Sequence, residues 1–378
     1  MTRIAFYATI KPPDHPIPSG DRLIARNLLQ ALELAGMEPF LASSYISYSK
    51  REAPEYLVKR KTGALEEAEK IIAQLRDNPP DIWMTYHPYC KAPDWIGSTV
   101  TKALDIPYVT VEASKTGQGY ENGGDRWKDW RKEAQTHIKA ADMHLCLKPT
   151  DRAYVSSLLG SEEKLRDLPP FFDATIPDDL LDISLPENWD ASTPTLITVG
   201  MMRPGKKHKN YKLLARALEP LQKLDWNLVI VGDGPAEEEI RSYFSSFSSK
   251  RLHWTGAISP HEVLAHVSAA DVFVWPGWKE PIGMVYLESQ LMGTPVCALD
   301  SMGVSLVVKH NETGLLADEC DPDGDVSGFS ENLRTIINDP KLRDKLRDRA
   351  SSYVLEKHSM ERAAFDLKNA IGELIAKL

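Results

Sequence analysis

Short β-branched runs alternate with longer amphipathic stretches along the whole chain. In the first half the apolar runs are Ile4–Thr9, Pro39–Ser43, Ile82–Tyr86, Tyr108–Val111 and Met143–Leu147. Helical periodicity lies between them, for example over Asp21–Ala35, Ala64–Arg76 and Trp127–Ala140. The second half keeps the same rhythm, with runs at Thr195–Val199, Asn227–Val231, Leu252–Trp254, Val272–Trp275 and Pro295–Ala298. Its helical stretches cover Tyr211–Leu221, Ala236–Phe247, Pro260–Ala269 and Gly283–Met292. Strand, helix, strand at this spacing predicts an α/β protein of doubly wound parallel sheets with helices on both faces. No short sequence repeat is present, so what repeats is the architecture.

The stretch between the halves breaks the pattern. Residues 169–194 hold five prolines in 26 residues. Strands cannot continue through that density of missing N–H groups, which places the interdomain linker there. After Pro340 the periodicity predicts two long helices broken near Lys357–Ser359. A length of 378 residues suits about two domains at roughly 100–200 residues each. Two doubly wound domains side by side predict a ligand cleft at the carboxyl ends of their strands.

Charge narrows the function classes. With 45 basic and 54 acidic residues the net charge is −9, which argues against a general nucleic-acid binder, since that function wants a basic stripe. Cys90, Cys146, Cys297 and Cys320 form no CxxC pair and fit neither a zinc set nor a disulfide framework. No apolar run approaches the ~20 residues of a membrane span. Ile4–Ile10 is followed by Lys11 and two prolines without a small-residue cleavage site. It reads as a first strand and not as a leader, and the expected location is cytoplasmic.

The chemistry concentrates in WPGWKEPIGMVYLESQLMGTPVCA, residues 275–298. It reads strand, loop, helix, glycine stop, strand. Pro281 and Gly283 sit at the helix start, where proline is tolerated and glycine lets a ligand approach the backbone. On a 3.6-residue period Met284, Leu287, Leu291 and Met292 form an apolar face, and Glu288 falls on it. A carboxylate there is costly without partners. Helical side chains lean toward the N-terminus, so Glu288 points back to the helix start, in front of which lies Glu280. Two acids thus flank a helix N-terminus, whose free N–H groups attract an anion. The simplest ligand is a diphosphate bearing hydroxyl groups for each carboxylate, that is, a nucleotide sugar. A lone Glu280 is equally a capping or dipole partner, and a buried Arg or Lys is the other account of Glu288.

Glu280 and Glu288 within KEPIGMVYLESQLMGTPV resemble the signature of retaining GT-B glycosyltransferases, specifically glycosyltransferase family 4 (group 1). The resemblance extends over VIVGDGP (residues 229–235), HWTGAISPHEVLAHVSAADVFVWP (253–276) and KHNETGLLAD (309–318). The first half is similar more loosely, through SGDRLIARNLLQALELAGMEP and LPPFFD. The resemblance implies two Rossmann-like domains facing across a cleft. Residues 1–185 would bind acceptor, residues 186–357 would bind donor, and the last helix, 358–378, would pack back on the first domain. It implies that Glu280 contacts the donor sugar, Glu288 the ribose, and the backbone from Ile282 through Gly283 to Met284 the diphosphate. The family's Arg and Lys after the first strand of the second domain map onto Arg203 and Lys207 in VGMMRPGKKHKNYKLL, with Lys206 as competitor. Such cations stabilise charge developing on the departing diphosphate; a solvated basic loop is the plainer account of the same run. Gly232, Gly234, Gly256 and Ile258 are implied neighbours of the base, although Gly232-Asp233-Gly234 lacks the third glycine of a dinucleotide fingerprint and suits a tight turn.

On the acceptor side the resemblance implies a loop before Gly20, whose N–H faces the cleft; an N-cap by Ser19 explains the same residues. Many relatives carry a histidine where this chain has Glu112. That acid is read either as a contact to a sugar hydroxyl or as the structural partner of a lysine such as Lys115. His87 ends a neighbouring strand and is a further acceptor-side candidate, or a satisfied structural histidine. Residues 115–125 hold four glycines, a candidate lid. Arg126–Lys132 interleaves cations with Trp127 and Trp130, and Lys50, Arg51, Lys59, Arg60 and Lys61 lie upstream. The two readings are peripheral contact with the inner face of a membrane and a solvated helix face with tryptophan packed inward. Asp321-Pro-Asp323-Gly-Asp325 lacks a calcium hand's remaining ligands and reads as a turn.

The expected activity is transfer of a hexose, with retention, from a UDP- or GDP-sugar to a glycan, lipid or small-molecule acceptor. Neither a metal nor another cofactor is expected, because protein cations take the metal's place. The alternatives are a nucleotide-sugar epimerase or hydrolase of the same fold, and a silent nucleotide-sugar-binding subunit.

Overall fold

A computed structural model describes residues 1–17, 19–115, 126–183 and 185–377. The candidate lid at 116–125 lies outside the described residues. The chain runs β1 (Arg3–Ala8), α1 (Gly20–Leu34), β2 (Glu38–Ser43), α2 (Pro54–Leu75), β3 (Ile82–Tyr86), α3 (Trp95–Leu104) and β4 (Tyr108–Val111). It continues through α4 (Lys128–Lys139), β5 (Met143–Cys146), α5 (Pro149–Leu159) and β6 (Leu165–Asp167). The second half holds β7 (Thr195–Val199), α6 (Lys206–Leu218), β8 (Asn227–Val231), α7 (Glu237–Tyr243), β9 (Leu252–Gly256) and α8 (Pro260–Ser268). Then come β10 (Val272–Val274), α9 (Met284–Leu291), β11 (Val296–Asp300), α10 (Val304–Val307) and β12 (Gly314–Asp318). Three helices close the chain, α11 (Ser327–Asn338), α12 (Pro340–His358) and α13 (Met360–Ile375).

The strands form two six-stranded sheets, ordered β2-β1-β3-β4-β5-β6 and β12-β11-β10-β7-β8-β9. Every named strand pair is parallel. All five residues of β3 and of β8 are buried, as expected of strands covered on both faces. The doubly wound sheets predicted from the sequence are therefore present.

Residues 1–173 with 360–378 form one compact unit, and residues 174–359 the other. The expected boundary lay near 185. Leu168 and Phe171 belong to the core of the first unit, while the proline-rich segment is tied to the second through Trp189 Nε1, which donates to the Lys250 carbonyl at 2.7 Å. In the first unit α13 places Met360, Ala363, Leu367, Ile371 and Leu374 against Leu28 and Leu32 of α1 and Ile4 and Phe6 of β1.

Several elements depart from expectation. α2 starts at Pro54, ten residues before the expected Ala64, and α6 starts at Lys206 and not at Tyr211. α6 opens on the charged turn Lys206-Lys207-His208-Lys209, and α2 buries no residue before Ala64, so neither start shows in the apolar period. The short strands β6 and β12 and the helices α3 and α5 stand outside the predicted set. In α3, β-branched residues obscure a helix whose start is set by Asp94, which accepts from Gly97 N–H at 2.7 Å. Asp94 is fully buried and also accepts from Thr85 Oγ1 at 2.6 Å and the Tyr108 hydroxyl at 2.5 Å. Three donors satisfy a carboxylate that would otherwise be costly inside a core.

In the second unit, sheet order reverses between β7 and β10, so their carboxyl ends frame a topological switch point. The turns after β7 and β8 meet there backbone to backbone. Met202 N–H donates to the Asp233 carbonyl at 2.7 Å, and Ala236 N–H to the Met202 carbonyl at 2.9 Å. Gly232, at φ +128°, would place a Cβ 2.1 Å from the Gly200 carbonyl oxygen, and Gly234, at φ +146°, one 2.5 Å from that of Met202. Their first role is thus close packing. Gly232→Ala is expected to cost at least about 2 kcal/mol and to lower the melting midpoint of the ligand-free protein by ~5 °C or more. An unchanged melt would show that the turn relaxes freely.

Candidate active site

Two loops build the site of the second unit. One follows β7 and leads into α6; the other follows β10 and leads into α9. Lys207, in the first turn of α6, donates to Glu280 Oε2 at 2.9 Å. Its ammonium also lies 5.3 Å from the centre of the buried Trp275 ring. Lys206 points elsewhere, its Nζ donating to the Lys279 carbonyl at 3.2 Å. Arg203 is exposed on the loop before α6 and makes no ion pair among the described residues. The structure therefore brings Lys207 and Glu280 together and assigns Lys206 to the loop backbone.

Gly283 is the N-cap of α9, at φ +78°, and no side chain caps the helix. A Cβ at Gly283 would lie 2.5 Å from the Tyr286 ring, and one at Gly303 only 1.8 Å from the Pro281 carbonyl oxygen. Glycine at both places lets the 281–283 backbone lie flat between its neighbours. Ile282 is buried, and Met284 half-buried.

The predicted apolar stripe of α9 is displaced. Tyr286, Leu287, Ser289, Gln290 and Leu291 are buried, whereas Met284, Glu288 and Met292 form a half-buried line beside them. The polar donors of the buried face are satisfied by carbonyls. Ser289 Oγ donates to the Thr294 carbonyl at 2.8 Å, and Gln290 Nε2 to the Tyr286 and Val307 carbonyls at 2.8 and 2.9 Å. Glu288 is a different case. It has no ion pair or side-chain hydrogen bond among the described residues, and burial raises its carboxyl above the usual range. The buried-cation account of Glu288 is thus not what the structure shows. Gly256 ends β9 at φ +70° with open space where a Cβ would stand, and Ile258 beyond it is half-buried.

Residues 186–353 match the family model described as glycosyl transferases group 1. This half of the chain is thus similar to group 1 glycosyl transferases. Sulfoquinovosyl transferase SQD2 of Arabidopsis thaliana is 28% identical over 182 residues, which are 48% of this chain and 34% of that protein. A GDP-mannose-dependent alpha-(1-6)-phosphatidylinositol monomannoside mannosyltransferase of Mycobacterium tuberculosis is 28% identical over 241 residues, 59% of this chain and 62% of that protein. The chain thus spans less than two thirds of the length of these curated relatives. Sucrose-phosphate synthase from Thermosynechococcus elongatus shares the fold over 100% of both chains, with TM-score 0.69 at 20% identity. The fold is GT-B, two Rossmann-like domains.

The first unit gathers its own charges at the carboxyl ends of β3, β4 and β5. His87 and Glu112 are both at φ +56° directly after adjacent strands. His87 Nδ1 and Asp21 Oδ1, in the first turn of α1, are 3.0 Å apart. Glu112 is buried and bonded to Lys148, which also lies 3.5 Å from Asp151. The lysine serving Glu112 is therefore Lys148 and not Lys115, which is exposed and makes no ion pair among the described residues. Burial works to raise the Glu112 carboxyl, but His87 and Lys148 outweigh it and hold it below the usual range. Burial likewise opposes charge on His87, yet Glu112 and Asp21 raise its pKa. Asp151 is pushed up to about 6 by burial, against the pull of Lys148. Gly20 is exposed as the first residue of α1, and Ser19 caps that helix by accepting from Arg22 N–H at 3.3 Å.

Sequence reasoning passed over Lys148, Lys209 and Asn210. Lys209 extends over the Trp278 ring, 5.2 Å from its centre, and Asn210 is 1% exposed. Asp321–Asp325 forms a turn, with Gly324 N–H donating to the Asp321 carbonyl at 2.8 Å and Asp323 held by Lys212 at 2.5 Å. Trp130 is buried, and Trp127 packs on it edge-to-face beneath Lys91. Among the described residues no helix is long and apolar enough to cross a membrane.

Two outcomes follow from these charges. Lys148→Met leaves Glu112 buried without its cation and is expected to cost about 3–5 kcal/mol; urea unfolding should show it, and adding Glu112→Gln should recover part of the loss. Glu288 has a raised carboxyl pKa, so its ionised form weighs against the folded state once the pH exceeds that value. Glu288→Gln is expected to raise the melting midpoint of the ligand-free protein at pH 8. The gain should shrink as the pH falls through the carboxylate range, where the wild-type acid is already neutral.

Proposed function

We propose that the chain transfers a hexose from a UDP- or GDP-sugar to a hydroxyl of a glycan, lipid or small-molecule acceptor, with retention of anomeric configuration. The observation that carries this reading is the arrangement around α9. An uncapped, glycine-led helix start at a switch point has the Lys207–Glu280 pair before it and the partnerless Glu288 one turn behind it. A diphosphate suits the helix N-terminus and the nearby cations. Ribose hydroxyls would supply the donors that Glu288 lacks, and Glu280 would accept from a sugar hydroxyl. The mannosyltransferase relative is named as GDP-mannose-dependent, which makes GDP-mannose a natural first donor to test.

In the proposed reaction the bond from C1 to the diphosphate oxygen breaks and the acceptor oxygen bonds to C1 on the same face. The acceptor proton passes to a departing phosphate oxygen. Lys207 and Arg203 stabilise the charge gained by the nucleoside diphosphate. Protein cations fill the role a metal would play, so the proposed reaction requires none. Before donor binds, Glu280 already holds Lys207, so the carboxylate competes with the incoming phosphates for one ammonium.

Incubation with UDP-glucose and GDP-mannose, with nucleoside diphosphate release as readout, tests the proposal. Glu280→Gln is expected to lower turnover by about 100-fold or more, while UDP or GDP binds no more weakly than to wild type, because Lys207 is freed. Equal turnover in wild type and Glu280→Gln would overturn the assignment. Donor consumption that is independent of acceptor, with an isomerised sugar as product, would favour an epimerase.

A further inference from the structure

The tripeptide Trp278-Lys279-Glu280 has no regular structure, yet all six of its main-chain polar groups are bonded. Trp278 N–H donates to Asn210 Oδ1 at 2.7 Å, and Asn210 Nδ2 donates to the Trp278 carbonyl at 3.2 Å. Lys279 N–H donates to Ser301 Oγ at 2.8 Å, and Lys206 Nζ reaches the Lys279 carbonyl. Glu280 N–H donates to the Gly277 carbonyl at 3.0 Å, and Gly303 N–H to the Glu280 carbonyl at 3.3 Å. Within this clamp Lys279 is held at φ +54°, a left-handed conformation that non-glycine residues rarely adopt.

The clamping side chains are themselves fully engaged. Asn210 Nδ2 also donates to the Lys206 carbonyl at 2.9 Å, which fixes the amide against its own helix. Ser301 is completely buried, and its hydroxyl donates to Glu319 Oε1 at 2.8 Å while accepting from Lys279. Asn210 lies three residues after Lys207 on α6. One amide therefore sets the distance between the helix that carries the lysine and the loop that carries the acid.

We infer that Asn210 and Ser301 are positioning residues that hold the Glu280 carboxylate at its working place opposite Lys207. The inference rests on the reading of Glu280 as the donor-sugar carboxylate. Asn210 acts through the loop backbone and not on substrate, so its loss should be felt in turnover and not in donor capture. A strained residue tied down from both sides is the pattern expected where a loop must not relax.

The test compares Asn210→Ala and Ser301→Ala with wild type, using whichever of UDP-glucose and GDP-mannose the wild type consumes. The expected result is a fall in kcat of about tenfold or more with the donor KM changed less than ~3-fold, in proteins whose circular dichroism shows a folded chain. The decisive readout is the double-mutant cycle: in a Glu280→Gln background, Asn210→Ala adds no further loss. Wild-type kcat in Asn210→Ala, or the same fold-loss with and without the Glu280 carboxylate, overturns the inference. If Asn210→Ala does not fold, Ser301→Ala carries the same cycle, and Ser301→Thr, which keeps the hydroxyl, should restore turnover. A wild type that binds neither UDP nor GDP overturns the functional reading instead. Amide hydrogen exchange across residues 277–283 then reads the clamp alone: faster exchange in Asn210→Ala upholds it, and unchanged exchange removes it.

Discussion

The close approach of two loops at the carboxyl ends of β7 and β10 is the constraint on which the second unit's site depends. Lys207 and Glu280 are 73 residues apart in sequence and 2.9 Å apart in space. Their side chains are 32% and 20% exposed, so solvent screens the pair and it contributes at most about 1 kcal/mol. That is too little to hold two loops in place. Lys279 in its left-handed conformation works against the arrangement by about 1–3 kcal/mol. Four hydrogen bonds from Asn210, Ser301 and Lys206 to the loop backbone offset this at about 1 kcal/mol each. Gly283 and Gly303 remove the side chains that would force the strands of backbone apart. The ion pair is thus a result of backbone packing, and its geometry is only as good as the packing.

Most of the fold is legible where strands are buried on both faces. Ile82–Tyr86, Tyr108–Val111, Thr195–Val199 and Asn227–Val231 are predicted to the residue, because β-branched runs bounded by polar turns admit few other readings. Elements whose signal is not apolar are harder to read. The start of α6 is charged, α2 buries nothing before Ala64, α3 is rich in Thr and Val, and β6 has three residues. In the site, Gly283 and Glu280 are legible because helix starts have local chemistry. The tilt of α9 is not, since its buried face includes Ser289 and Gln290, whose hydrogen bonds depend on distant carbonyls. Asn210 and Lys148 went unread for the same reason. Their partners are fixed by topology, and nothing within a few residues of either announces them.

The two units treat a carboxylate near the end of a strand or helix in opposite ways. Glu112 is almost fully buried, and the protein compensates it with Lys148 and His87, so that it stays ionised at neutral pH without outside help. His87, raised in turn by Glu112 and Asp21, completes a cluster in which each charge has an opposite neighbour. Within this set the charges at the carboxyl ends of β3, β4 and β5 are compensated by the chain itself.

Glu288 is left with burial and no compensation. Replacing an acid at such a position by an apolar residue would relieve the desolvation cost, since its neighbours Leu287 and Leu291 already make an apolar surface. On the buried face of α9, by contrast, Ser289 Oγ and Gln290 Nε2 donate to carbonyls of the chain itself. An uncompensated acid at such a position is tolerable because it is only partly buried, and it becomes favourable when something outside the chain donates to it. Hydroxyl groups do so without adding charge, and a pair of them on one ring does so twice. Glu112 is thus compensated within the chain and Glu288 is not, an asymmetry read from burial and charge and independent of any motif.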